Sequence, residues 1–161
     1  MATTTAAQRK SGKHENLIVR NMVREELPNE GVLRYGEEEK GTSGAFAMMS
    51  GWQVDLSKVH IAYSWIHEVP SPNPYVLEHV HDYDEVLLFM GNNPEDLDDL
   101  GAVAEIDLDG ETYVIDTSAA IYIPRGMRHC PLGYQRVDRP LSFIALSLNP
   151  TYQSPTGSGR Q

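Results

Sequence analysis

The chain has 161 residues, 40% of them hydrophobic, enough for one ordinary globular domain and too few for two comfortable ones. Lys and Arg total 13 against 23 Asp and Glu, a formal charge of -10, so no basic stripe is available to neutralise phosphates; nucleic acid and anionic membrane surfaces are excluded as partners. Cys130 is the single cysteine, which rules out an internal disulfide or a cysteine-based cluster and leaves nitrogen and oxygen as donors for any metal.

Residues 1–16, "MATTTAAQRKSGKHEN", read as a polar flexible tail without the apolar middle of a secretory signal. No apolar run approaches the roughly 18 residues of a membrane helix. The expectation is a cytoplasmic protein with no membrane partner. A single folded domain is expected over 17–150, followed by a second tail over 151–161. At its start, "NLIVRNMVREELP" suits either a short helix or an irregular strand, ended in both cases by Pro28.

From Ala45 the pattern becomes a series of short apolar segments separated by turn formers: "AFAMM", "KVHIAYSWIHEV", "YVLEHVH", "EVLLFM", "AVAEIDL", "ETYVID", "AAIYIP" and "LSFIALSL". Eight such segments predict an all-β sandwich or barrel. Asp109-Gly110 joins two of them and supplies the left-handed backbone of a tight hairpin. Pro72 and Pro74 in "SPNPY" place a loop before the third segment.

"EHVHDYDEVLLFMG", residues 78–91, sets His79, His81 and Glu85 at one parity. In a strand that parity puts them on one face, with successive same-face positions about 7 Å apart, whereas a helix would turn the two histidines to opposite sides. Alternating His and Glu on a solvated strand would carry no chemistry. Three donors of one parity, joined by His129 in "YIPRGMRHCP", point instead to a metal.

These residues resemble the cupin family. His79, His81, Glu85 and Gly91 follow the first cupin motif, with Gly91 one position early, and Pro124, Gly126 and His129 follow the second. The resemblance covers about 45–148. Three framework positions depart from it: Asn73 and Ser118 stand where glycines usually open the motifs, and Gly133 where an asparagine often closes the second. The resemblance implies a single-domain cupin-type double-stranded β-helix, or jelly-roll barrel, and one divalent ion held by His79, His81, Glu85 and His129. Three imidazoles and one carboxylate leave two positions of an octahedral ion open to water, substrate or dioxygen. Mn, Ni, Cu and Zn accept this donor set; the resemblance favours Fe(II). It implies an Fe(II)-dependent dioxygenase or related oxidative enzyme for a small organic molecule, working as a homodimer. A non-redox isomerase, epimerase, decarboxylase or cyclase, and a non-catalytic small-molecule-binding cupin, are the alternatives.

Around the ligands, "HIAYSWIH" places Tyr63, Trp65 and His67 on one face and His60, Ala62, Ser64 and Ile66 on the other. The aromatic face is a candidate substrate pocket and equally a candidate outer packing surface. His14, His60 and His67 read as ordinary histidines, and Cys130 as a buried thiol pointing away from His129's side. "GNNPEDLDDLG" reads as a solvated loop. Arg125, Arg128 and Arg136 are candidate clamps for a substrate carboxylate, none singled out.

Overall fold

In the segment Glu85–Met90, Glu85, Leu87 and Phe89 are buried while Val86, Leu88 and Met90 are not, the two-residue period of a strand with one face on a core. The computed structural model describes residues 12–25 and 38–152, and in them this pattern recurs along the chain. After a 3-10 turn at Glu15–Leu17 come β1 (Val23–Arg24), β2 (Lys40–Thr42), β3 (Phe46–Met49), β4 (His60–Ser71) and β5 (Glu85–Met90). They are followed by β6 (Asp99–Leu108), β7 (Glu111–Thr117), β8 (Ala119–Ile123), β9 (His129–Val137) and β10 (Leu141–Ser147).

Two antiparallel sheets result. The larger runs β1-β3-β4-β10-β5-β8, with β2 also paired to β4; the smaller runs β7-β6-β9. Their inner faces share one core, to which the large sheet gives Ile66, Phe89 and Leu141 and the small sheet Leu100, Ile106 and Leu132. Phe143 and Phe89 pack at a tilt with centroids 5.1 Å apart. The all-β, two-layer architecture is the one expected of a cupin.

Local chemistry fixes the connections. Asp109 and Gly110, at φ 52° and 86°, turn β6 back along β7, and Leu108 pairs with Glu111 across them. Gly91 ends β5 where the chain passes the backbone of β6, and a Cβ there would lie 2.0 Å from the Asp99 carbonyl oxygen. Only glycine fits that approach.

The structure differs from the sequence reading in three places. "YVLEHVH" forms no named strand; Val76 and His79 each make one isolated bridge, to Leu132 and His129. Conversely β9 is a strand of nine residues despite Pro131, which it tolerates as the edge of the small sheet. The N-terminal segment combines the 3-10 turn with the two-residue β1, while Pro28 lies outside the described residues.

The departures at Asn73 and Gly133 are one feature. Asn73 Nδ2 donates to the Tyr134 carbonyl at 3.0 Å and its Oδ1 accepts the Tyr134 N–H at 3.1 Å, and a Cβ on Gly133 would meet that same Oδ1 at 3.1 Å. Asparagine and glycine have exchanged sides across one contact. Ser118 also has a task, accepting the Gly91 N–H through Oγ at 3.2 Å.

Candidate metal centre

Backbone bonds zip the two motif segments together. His79 N–H donates to the His129 carbonyl at 3.0 Å, and His129 N–H returns to the His79 carbonyl at 3.1 Å. Gly126, at φ 77°, sits in a turn closed by Met127 N–H to the Pro124 carbonyl at 3.1 Å, and its own N–H donates to the His81 carbonyl at 2.9 Å. Asp84 fastens the same turn from below, accepting the Arg125 N–H at 2.7 Å and the Tyr122 hydroxyl at 2.5 Å. Segments about 45 residues apart in sequence are thereby locked in register.

This register brings His79, His81, Glu85 and His129 together, all buried, with one donor atom from each lying within 4.8 Å of the others. His81 and Glu85 are almost completely enclosed, at 1% and 3% exposure. His81 Nε2 lies 3.2 Å and His129 Nε2 3.3 Å from the same Glu85 oxygen, Oε2. The bend at residues 82–83 is what lets His81 and Glu85 converge; a continuous strand does not run through them.

The second nitrogen of each ring determines what this cluster can hold. Nδ1 of His79 faces the Leu77 carbonyl at 2.8 Å, that of His81 the Tyr83 carbonyl at 2.8 Å, and that of His129 the Met127 carbonyl at 2.9 Å. A carbonyl oxygen only accepts, so each Nδ1 carries the proton, and in the neutral ring each Nε2 presents a lone pair. Three lone pairs then face a carboxylate in a buried space. His129 Nε2 makes no aligned hydrogen bond to any described group, despite its nearness to Glu85. Such an arrangement calls for positive charge among the four groups, and the carbonyl-held Nδ1–H is the usual support of a metal-ligating histidine. The residues fit a divalent ion.

Glu85 supplies the negative charge. Burial, the largest influence, pushes its carboxyl up, while a proton on Nε2 of His129 and His81 would bring it down to about 2; with lone pairs at those atoms, an ion among the four groups would take over that role. Tyr83 lies flat against His81, with ring centroids 4.2 Å apart and planes 4° from parallel, which fixes the imidazole's tilt.

A cavity of about 40 Å³ adjoins the cluster and is lined by His79, Glu85 and His129. Its wall is built from the inner faces of the large sheet: Ala62 and Ser64 from β4, Leu87 from β5, Phe143 and Ala145 from β10. Tyr63, Trp65 and His67, the candidate pocket face that read equally as outer packing, do not line this cavity; the other face of the strand does. Trp65 and His67 are exposed, because β4 turns its small residues inward. Cys130 also lines the cavity, contrary to the alternation expected from His129, since its φ of 65° breaks the strand's two-residue period.

Of the remaining histidines, His60 is buried with Nε2 2.8 Å from Glu25 Oε1, away from the four-residue cluster. Arg125, Arg128 and Arg136 face outward, paired with Asp82, Glu78 and Asp138. Tyr75 and Ser64 are cavity residues that sequence reasoning missed; Tyr75 stands at the junction of the "SPNPY" loop and the "YVLEHVH" segment, and Ser64 looks unremarkable between aromatic neighbours. No helix among the described residues is long and apolar enough to cross a membrane.

No family model matches the chain, and no curated protein matches it. Solved structures similar to parts of it include a cupin-2 domain protein from Rhodospirillum rubrum, 13% identical over 88% of this chain and 84% of that one, with a TM-score of 0.49. A protein described as a predicted oxalate decarboxylase from Thermotoga maritima is 14% identical over 68% of this chain and 85% of that one, with a TM-score of 0.47. An oxalate oxidase is 14% identical over 68% of this chain and 53% of that one, with a TM-score of 0.45, so the chain spans about half of that protein. Two motif segments in the expected order, paired through the backbones of His79 and His129 within a two-sheet antiparallel sandwich, are the arrangement that the resemblance to cupins implies.

Proposed function

We propose that the chain is a mononuclear metal-dependent enzyme for a small organic molecule, with His79, His81, Glu85 and His129 holding one divalent ion. The observation that carries this reading is the set of three buried imidazoles whose Nδ1 atoms are tied to carbonyls and whose other nitrogens converge on Glu85. When bound, the ion would supply Lewis acidity and open coordination positions; with iron(II), the metal we favour over Mn, Ni, Cu and Zn, it would also supply oxidative chemistry, making the protein a dioxygenase or related enzyme.

The chain's own residues account for the rest of the task. The Leu77, Tyr83 and Met127 carbonyls hold the three rings in one tautomer. Glu85, ionised beside the ion, would offset one of its positive charges. The apolar wall from β4, β5 and β10 keeps bulk water from the reacting atoms, which strengthens every electrostatic interaction there. The Ser64 and Tyr75 hydroxyls, the latter bonded to Thr42 at 3.3 Å, give the cavity a polar point away from the ligands.

We further propose that the protein works as a homodimer, supported by the outer face of the large sheet. There Tyr63, Ile144 and Leu88 form one cross-strand row and Ile61, Leu146, Val86 and Tyr122 the next, an uncharged surface on a chain of charge -10.

Elemental analysis of untagged protein, repeated on His81→Ala, tests the centre. Stoichiometric metal in the first and its loss in the second is expected; equal metal in both would sink the assignment. Oxygen uptake dependent on added Fe(II) and a candidate substrate supports the oxygenase, while conversion that proceeds under argon would replace it with Lewis-acid chemistry.

A further inference from the structure

The cavity constrains the charge and size of what reaches the ion. Resting on the metal-centre reading above, we propose that the natural ligand is a small molecule that brings one negative charge, placed at the ion, with a short uncharged remainder.

The charge count comes first. Three neutral imidazoles, one carboxylate and a divalent ion sum to +1, so a monoanionic donor leaves the buried centre neutral. A second negative charge would need a cation of its own, because an unpaired ion is strongly disfavoured in a buried site. Among the described residues lining the cavity, none is Lys or Arg. The three arginines nearest the second motif are exposed and occupied: Arg125 by Asp82, Arg128 by Glu78 and Arg136 by Asp138. What the cavity offers beyond the ligands is an apolar wall of Ala62, Val76, Leu87, Phe143 and Ala145, with the hydroxyls of Ser64 and Tyr75. Such a surface accepts carbon and one or two neutral polar atoms.

Size follows from the volume. One water-sized position takes roughly 10–15 Å³ on this measure. A cavity of about 40 Å³ therefore holds about three such positions in all, those beside His79, Glu85 and His129 included. Aromatic acids are too large, and dianions of suitable size are mismatched in charge.

The test uses the full chain loaded with cobalt(II), whose visible absorption reports directly on ligands entering the coordination sphere. Glycolate, oxalate and mandelate are titrated separately. Glycolate and oxalate have nearly the same size and differ in charge, while mandelate keeps glycolate's charge and adds a ring. Oxalate is the stronger chelator of the free ion in water, so chelation alone predicts that it wins. We expect the reverse: glycolate changes the spectrum with a Kd at least tenfold below that of oxalate, and mandelate has no effect. Oxalate equal to or tighter than glycolate, mandelate entering like glycolate, or no spectral response to any of the three overturns the inference while leaving the metal centre standing. Failure to take up cobalt, or an unchanged spectrum in His81→Ala, overturns the centre and the inference with it. Ala145→Lys, a half-buried cavity position, is expected to bring oxalate to within threefold of glycolate at unchanged cobalt content; should it fail to fold, the comparison of the three ligands on the unaltered chain still decides.

Discussion

The two faces of β4 differ in a way that residue chemistry alone would misjudge. Its outer face carries Tyr63, Trp65 and His67, side chains that could stack, hydrogen-bond or move protons. Its inner face carries Ala62 and Ser64 between His60 and Ile66, and it is this plainer face that lines the cavity. A substrate site needs space beside the reacting group, and small residues create it. The lesson is that the location of a site follows from which face is buried, and catalytic capability of the neighbours comes second.

The contrast is most directly broken or sharpened by paired substitutions along the strand. Ile66 is fully buried in the shared core, so Ile66→Ala should lower unfolding free energy by about 2–5 kcal/mol in a urea titration. His67→Ala, on the exposed face, should stay within about 0.5 kcal/mol and leave metal content unchanged. Comparable losses at the two positions would mean that cover extends over His67, beyond the Ile61 and Tyr63 rows proposed for the homodimer, and sedimentation of His67→Ala against the parent would then show whether a partner is lost.

How much of this was legible in the sequence depends on the kind of signal. The hairpin at Asp109-Gly110 was legible because the dipeptide itself imposes the left-handed backbone. The four donors were legible through their spacing, although their convergence comes from a bend between His81 and Glu85 that parity does not describe. The inner face of β4 was not, because its residues alternate without an obvious apolar side: Ala62 and Ser64 are small, while Tyr63 and Trp65 are large and look more core-like. Cys130 was misplaced for a related reason. A positive φ at a non-glycine residue is a tertiary event, invisible to a two-residue period.

Asn73 and Gly133 show a further limit. Taken singly, each looks like erosion of a motif; in space they are two sides of one contact. Asn73→Gly removes two hydrogen bonds to Tyr134 and should cost about 1–3 kcal/mol by denaturant unfolding. Adding Gly133→Asn should return part of that loss, since the new amide can occupy the space the old one left. A double variant as unstable as the sum of the two single ones would show that the positions are independent and the exchange accidental.

A small effect is expected at the start of β6, outside the residues that line the cavity. Asp99 accepts from Asn93 Nδ2 at 2.9 Å and from the Gly101 N–H at 3.0 Å, and pairs with Arg139. The Asn93 hydrogen bond, followed by the Arg139 contact, holds its carboxyl below the usual aspartate value of 3.8. The lowered value fixes the sign: the unfolded chain takes up the proton first as pH falls, so this group's stabilisation is complete above 3.8 and disappears as pH drops through the folded value. Asp99→Asn should therefore lower the neutral plateau slightly and flatten the acid limb of the melting temperature against pH, the two proteins converging at low pH where the parent's carboxyl is protonated. Because solvent partly screens this half-buried group, the change should be a small one in slope. An acid limb as steep in Asp99→Asn as in the parent would transfer that pH dependence to other carboxylates. Asp84, whose carboxyl is lowered first by the Tyr122 hydroxyl and then by the Arg125 N–H, would be the next to substitute.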